Sequence, residues 1–225
     1  MPSDPALFDP LLRTLAAVPV SSQVLDLGCG TGHHTEALLR LGFPVHACDP
    51  RAAAVAATRE RIAPLLEDDE VARQCVREAT VAELEDLEDA FDWVVAAQAD
   101  RLVDSRSDLR NLLSAAQRVL KPGGWMYLVA PAAPTDLDRA AQAEGDGAPP
   151  ADATDGAPAD GASASSASSD GASSGASSPH HVFALDAMEA IRESVGLAMS
   201  SAPEIDDATE RVHVIYRHVT SKTSA

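Results

Sequence analysis

The stretch from Val24 to Gly32, VLDLGCGTG, constrains the fold of this chain more than any other part of the sequence. A short apolar run that contains one acid breaks into three alternating glycines, and a helical pattern follows directly. This order predicts a strand, a tight loop and a helix. Because glycine has no Cβ, backbone N–H groups of such a loop can come close to a ligand. The positive end of the following helix lies at the same place.

Strands and helices alternate around this loop, which predicts crossover connections and a parallel sheet with helices on both faces. We expect a leading helix over residues 4–18 and strands over 23–27, 44–49, 71–76, 91–97 and 125–130. Helices are expected from the glycine loop to Leu41, over 51–66, and from a cap at Ser107 or Asp108 to Leu120. Residues 81–89 read as a short helix or turn, and residues 121–124 as a turn.

The composition changes sharply between residues 143 and 179, where Ala, Ser, Gly, Asp and Pro dominate and no bulky apolar residue occurs. Such a segment cannot bury enough apolar surface to offset its ordering entropy, so we predict a disordered insertion. A helix ending at Gly196, strands over 197–205 and 211–219 and a turn at 206–209 should then complete an antiparallel hairpin. The prediction is a single domain over residues 1–225, with a doubly wound, mostly parallel, seven-stranded sheet.

The charge and cysteine content narrow the choice of partners and compartment. The formal net charge is −18, which disfavours nucleic acid and anionic membrane, because phosphate binding needs clustered positive charge. The three cysteines lack metal or redox spacing and fit reduced thiols. No signal peptide or apolar run of about 20 residues is visible, so we expect a cytoplasmic protein. We expect a monomer or weak homodimer.

The motifs together resemble the class I S-adenosylmethionine-dependent methyltransferases. The residues that carry the resemblance are VLDLGCGTG at 24–32, Asp49 at the end of the second strand, FDWVV at 91–95 and LKPGG at 120–124. Their order and spacing agree across about residues 20–131. The resemblance implies a Rossmann-like fold, S-adenosyl-L-methionine as the cofactor, and methyl transfer to a small molecule. The small-molecule subfamilies, such as the tellurite-resistance and ubiquinone-biosynthesis methyltransferases, are the most similar.

The resemblance also implies a set of cofactor-binding residues. The glycine loop would pass against the amino-acid part of the cofactor, Asp26 would help hold its amino group, and Asp49 would hydrogen-bond both ribose hydroxyls. Asp49 could instead cap the next helix, and Glu83 competes with Glu78 for the adenine turn. The implied set is Asp26, Gly28, Cys29, Gly30, Gly32, Asp49, Pro50, Glu78, Ala79 and Ala97. A dinucleotide site is less favoured, because the third glycine comes one residue early for that fingerprint.

The sequence names no catalytic residue. Many relatives carry a histidine after the fourth strand, but residues 97–102 read AQADRL here. Gln98, Asp100 and Arg101 could orient an acceptor or form ordinary ion pairs and caps. One of His33 and His34 could touch the ligand, but solvent-facing or helix-capping roles are favoured, and no metal site is expected. The alternative function is therefore a non-catalytic S-adenosylmethionine-binding or interaction module with the same fold.

Overall fold

One sheet of eight strands organises the computed structural model of this chain, which describes residues 9–66, 68–84, 87–131, 185–206 and 209–219. The strands are β1 (Val24–Leu27), β2 (Val45–Asp49), β3 (Val76–Glu78), β4 (Phe91–Ala96), β5 (Leu120–Pro131), β6 (Leu197–Met199), β7 (Glu204–Asp206) and β8 (Arg211–His218). Their order is β3-β2-β1-β4-β5-β8-β6, with β7 also paired to β8.

The first five strands are parallel, and β8 runs antiparallel to β5, β6 and β7. Because β6 pairs with the end of β8 and β7 with its beginning, both lie along the same outer edge of β8. The sheet therefore has seven positions across. This confirms the predicted doubly wound, mostly parallel sheet with an antiparallel C-terminal hairpin.

Helices cover both faces of the sheet. They are α1 (Asp9–Leu15), α2 (His33–Arg40), α3 (Ala52–Ile62), α4 (Asp69–Cys75), α5 (Arg106–Val119) and α6 (Leu185–Ser194). Leu11 of α1 and Leu38 of α2 pack on one face together with Tyr127 of β5. Leu112 of α5 and Ile191 of α6 pack on the other. The central strands β4 and β5 thus bury apolar side chains on both faces, as expected for parallel strands.

The predicted third strand over 71–76 is wrong, because these residues belong largely to α4. The Asp68 side chain accepts a hydrogen bond from the Glu70 N–H at 2.9 Å and so caps the helix. Only Val76 of the predicted range enters β3. The predicted helix over 51–66 is shorter, because α3 ends at Ile62 and a 3₁₀ turn holds Pro64. Proline lacks the N–H that an α-helix needs at that point.

Three further boundaries differ from the predictions. Residues 121–124 are not a separate turn but the start of β5, where pairing with β4 shifts register between Phe91 and Trp93. Gly123 takes a φ of +82° in this irregular stretch. Helix α5 is capped by Ser105, rather than Ser107 or Asp108, because the Ser105 hydroxyl accepts from the Asp108 N–H. The strand predicted over 197–205 is split into β6 and β7.

Some predictions fall outside the described residues. These are the first five residues of the leading helix (4–8) and the insertion at 143–179; within the described part, the leading helix ends at Leu15. Among the helices that the structure describes, none has the length and apolar character needed to cross a bilayer.

Candidate functional site

The glycine loop leaves the carboxyl end of β1 and is tied to β2 by its backbone. Gly28, Gly30 and Gly32 have φ values of +76°, +59° and +80°, a region that favours glycine. The N–H groups of Gly28 and Cys29 both donate to the Cys48 carbonyl, at 2.8 and 3.0 Å. These N–H groups therefore bond within the protein, whereas the sequence suggested that backbone N–H groups of the loop come close to a ligand.

Asp49 joins the loop to the end of β2. Its Oδ2 accepts from the Gly30 N–H at 3.0 Å, and its two oxygens also accept from the backbone and guanidinium of Arg51. The residue is only 1% exposed. Burial alone would raise the pKa of Asp49, but the hydrogen bonds from Arg51 and Gly30 outweigh it and hold the pKa below its usual value. Asp49 is thus an ionised acceptor at the carboxyl edge of the sheet.

Two side chains from the segment after β4 lie on the glycine loop. A Cβ on Gly28 would lie 2.8 Å from Leu102 Cδ1, and a Cβ on Gly30 would lie 3.0 Å from Gln98 Oε1. The glycines are therefore needed for close packing as well as for their backbone conformation. The Gln98 Oε1 atom is buried and has no hydrogen-bond partner within the described part of the chain.

Asp26 lies beneath the loop rather than on its surface. The residue is 1% exposed, and its Oδ2 accepts from the Thr35 hydroxyl at 2.5 Å. Burial raises the pKa of Asp26, although His34 and Thr35 act in the opposite direction. The geometry therefore makes Asp26 a buried support for the loop and the start of α2.

Cys29 contributes backbone to the loop while its side chain points into the protein. The thiol lies in a cluster with Ala47 and Val55, and the Thr58 hydroxyl lies 3.5 Å from Sγ. Burial raises the pKa of the Cys29 thiol to about 12, so the thiol stays protonated and is not a nucleophile.

A cavity of about 530 Å³ opens beside the loop, on the α5 face of the sheet. The lining residues come from the ends of β2 and β3, the segment after β4, and α5; they are Pro50, Thr80, Val81, Ala82, Arg101, Leu102, Asp108, Asn111, Ser114, Ala115 and Arg118. The sequence predicted Pro50 here but missed residues 80–82 and Leu102. Their position immediately after strand ends was the available signal.

The two acids considered for the adenine turn differ in their surroundings. Glu78 is exposed and pairs in register with Asp49. Glu83 Oε2 instead accepts from the N–H and hydroxyl of Thr80, at 2.7 and 2.8 Å. Glu83 thus holds the turn itself, whereas Glu78 lies beside Asp49 at the carboxyl edge of the sheet. Ala79 is buried, and its N–H donates to the Asp49 carbonyl.

The remaining sequence candidates lie around this edge. Ala97 is 6% exposed and directly follows β4. His34 is 5% exposed, so the expectation that it faces solvent is wrong, while His33 Nε2 lies 3.3 Å from Arg61. Within the described ranges, no group of three His, Cys, Asp or Glu side chains could hold a metal ion.

The arrangement fits a nucleoside ligand that is neutral or positively charged and carries no phosphate. Asp49 offers carboxylate oxygens suited to a vicinal diol, and the cavity beyond Pro50 offers a partly apolar slot for a base. Because Gly30 has no Cβ, the Gln98 amide can lie against the loop, and its buried oxygen provides a hydrogen-bond acceptor there. These features match what S-adenosylmethionine requires of its ribose, adenine and amino-acid parts.

Comparison with known proteins gives the same result. Residues 24–124 match the methyltransferase domain family. The ubiquinone biosynthesis O-methyltransferase of Mus musculus is 34% identical over 131 residues, which cover 55% of this chain. The corresponding protein of Nitrobacter winogradskyi is 30% identical over 119 residues. The alignments span only 34% and 42% of these two relatives.

Solved structures share the fold at low sequence identity. A S-adenosylmethionine-dependent methyltransferase from Methanosarcina mazei matches with a TM-score of 0.62 and 14% identity, covering 96% of this chain and 99% of that one. The N-methyltransferase NodS of Bradyrhizobium japonicum, solved with S-adenosylhomocysteine, matches with a TM-score of 0.59 and 14% identity. This match covers 93% of this chain and 84% of NodS. In its glycine loop, its strand order and the domain over residues 24–124, the chain is therefore similar to S-adenosylmethionine-dependent methyltransferases.

Proposed function

We propose that this protein transfers a methyl group from S-adenosylmethionine to a small-molecule acceptor. The observation that carries the proposal is the 3.0 Å hydrogen bond between the Gly30 N–H and Asp49 Oδ2. It brings the glycine loop of β1 and the acid of β2 together at one point of the sheet edge. Ligands of such sheets bind at the carboxyl ends of the strands.

Each part of the edge has a role in this proposal. Asp49 accepts from the ribose hydroxyls, the glycine loop borders the amino-acid part, and the cavity beyond Pro50 receives the adenine. When bound, the cofactor would supply a methyl group on a sulfonium: the acceptor atom would bond to the methyl carbon in line as the carbon–sulfur bond breaks, with S-adenosylhomocysteine as the leaving group. The segment after β4, with Gln98 and Leu102 on the loop, excludes water from the reacting side.

We further propose that the acceptor atom is oxygen. The support is that the curated relatives are named O-methyltransferases of ubiquinone biosynthesis. A screen of labelled methyl transfer to catechols, primary amines and thiols tests this. Transfer to a catechol supports the proposal, and transfer only to an amine or a thiol contradicts it. Cofactor binding without turnover on any acceptor would favour the non-catalytic alternative.

Calorimetric titration with S-adenosylhomocysteine, S-adenosylmethionine and NAD tests the cofactor. We expect both sulfur ligands to bind and NAD not to bind. Asp49→Ala should weaken the binding of S-adenosylhomocysteine by on the order of 2–4 kcal/mol, because two hydrogen bonds to a carboxylate are lost. Asp49→Asn keeps the shape of the side chain and should lose less of this binding free energy. Absence of binding by both sulfur ligands would refute the proposed function.

We also propose a cytoplasmic protein that acts as a monomer or weak homodimer and binds no nucleic acid. Cys29, Cys48 and Cys75 are all free thiols, which suits a reducing compartment. The net charge of −18 opposes binding to phosphate backbones. Light scattering across a concentration series tests the oligomeric state, and a filter-binding assay with DNA and RNA tests the absence of nucleic-acid binding.

A further inference from the structure

The Gln98 side chain occupies an unusual position on the glycine loop. Gln98 follows Ala97 at the end of β4 and precedes the 3₁₀ turn Ala99–Arg101. Its Oε1 would lie 3.0 Å from a Cβ on Gly30, so its amide rests directly on the loop. Any residue larger than glycine at position 30 would push this amide away.

The Gln98 carbonyl oxygen is buried without a donor in the part of the chain that the structure describes. Buried acceptors are almost always hydrogen-bonded, so an exception calls for a ligand or another explanation. The Gly30 N–H already donates to Asp49 Oδ2 at 3.0 Å. The other acid beneath the loop, Asp26, already accepts from Thr35. Gln98 Oε1 therefore remains a buried side-chain acceptor at this loop without a donor among the described residues.

We propose that Gln98 Oε1 accepts a hydrogen bond from the α-ammonium group of the cofactor, and so selects ligands that carry an amino-acid part. The inference rests on the proposed function. An ammonium group has three donors and no acceptor, and an amide oxygen is an acceptor. The amide is also neutral, so it accepts from the ammonium without repelling the carboxylate of the same amino-acid part. Asp26, which is 1% exposed, supports the loop from below instead.

A pair of ligands separates this role from simple packing. S-adenosylhomocysteine carries the amino-acid part, whereas 5′-methylthioadenosine has the same nucleoside and sulfur without it. Both are titrated by calorimetry into the wild type and Gln98→Met. We expect the variant to bind S-adenosylhomocysteine about tenfold more weakly, because one hydrogen bond to a charged group is lost. Its affinity for 5′-methylthioadenosine should be unchanged.

Two more variants sharpen the result. Gln98→Glu keeps an acceptor at the same length but adds a charge that repels the ligand carboxylate, so it should restore part of the S-adenosylhomocysteine affinity that Gln98→Met loses. Gln98→Asn, one methylene shorter, should behave like Gln98→Met and serves if that variant does not fold. Gln74→Met is the matched control, because Gln74 is exposed on α4, away from the loop.

Each other outcome overturns the inference. Equal weakening of both ligands by Gln98→Met means that Gln98 only packs on the loop. No effect on either ligand means that it does not touch the cofactor. A loss in Gln98→Glu as large as in Gln98→Met means that the amide donates, for example to the ligand carboxylate. Wild-type protein that binds neither ligand contradicts the proposed function itself, which is a different failure.

Discussion

Arg51 holds both oxygens of Asp49. Its backbone N–H and Nε donate to Oδ1 at 3.0 and 2.9 Å, and Nη2 donates to Oδ2 at 3.0 Å. The acid is 1% exposed, whereas the Arg51 side chain is 50% exposed. The ribose hydroxyls of the proposed cofactor need the same oxygens. Under the proposed function, we therefore expect the guanidinium to swing into solvent when the cofactor binds, while the backbone N–H remains in place.

Arg51→Met should consequently tighten the binding of S-adenosylhomocysteine by up to about fivefold, since a half-exposed ion pair is worth roughly 0.2–1 kcal/mol. Calorimetry at low and high salt measures this. Salt weakens the wild-type pair, so the advantage of the variant should shrink as salt rises. Arg73→Met is the control, because Arg73 forms an exposed ion pair with Glu70 on α4. Weaker binding by Arg51→Met would show that the guanidinium helps the cofactor to bind.

Asp26→Asn should stabilise the protein at neutral pH. Burial raises the pKa of Asp26, so the folded state prefers the protonated acid. The stability that this preference provides is present below the unfolded pKa of about 3.9 and is lost as pH rises through the raised folded pKa. Each unit of the shift is worth about 1.4 kcal/mol. Asparagine does not titrate and can still accept from Thr35.

Urea unfolding of wild type and Asp26→Asn across a pH series tests this expectation. The gain of the variant in free energy of unfolding should be small near pH 4 and grow toward neutral pH. A variant that is less stable than wild type at neutral pH would mean that the ionised carboxylate is favoured by its neighbours after all.

Ser105→Ala should destabilise the protein by about 1 kcal/mol, the usual value of a helix N-cap. The Ser105 hydroxyl accepts from the Asp108 N–H at 3.1 Å and donates to Asp108 Oδ2 at 2.7 Å. Ser107→Ala, at an exposed position two residues after the cap, should leave the stability unchanged. Thermal unfolding of the two variants shows which serine caps the helix. Equal losses of stability would mean that Ser105 is not the cap.

Deletion of residues 143–179 should leave the melting temperature nearly unchanged. The segment contains no bulky apolar residue, so its removal takes no large side chain from the core. A short Gly/Ser replacement keeps the ends connected. A clear drop in the melting temperature, seen by calorimetry, would show that the segment contributes contacts that its composition does not suggest.

Local patterns were enough to predict much of the fold. Short apolar runs and the glycines that interrupt them were sufficient to predict three elements. These are the glycine loop, the strand that ends in Asp49 and the strand that begins at Phe91. The same reliance on local patterns made the prediction for 71–76 fail. Val71 and Val76 suggest a strand, whereas the helix cap at Asp68 lies just outside this run of residues. Ser105 was missed because its neighbours are equally good caps by residue type.

The side-chain arrangement of the site was less predictable. The sequence indicated Asp49 but not that Arg51, two residues later, would hold both of its oxygens. It named Gln98 only as one of several polar residues after β4. That Gln98 rests on Gly30 depends on how β4 lies beside β1 in the folded sheet. Contacts between residues distant in sequence are fixed by topology and packing, which no local pattern contains.

The hydrogen bonds made by the backbone N–H groups of the glycine loop also affect which ligands the loop can bind. The N–H groups of Gly28, Cys29 and Gly32 donate to carbonyls, and that of Gly30 donates to a carboxylate. Loops that cradle a diphosphate need such N–H groups to point at the ligand. Here an incoming diphosphate would meet amides already turned inward and the ionised Asp49 beside them. The same backbone geometry thus disfavours ligands that bind through a diphosphate, because these four N–H groups are already used within the protein.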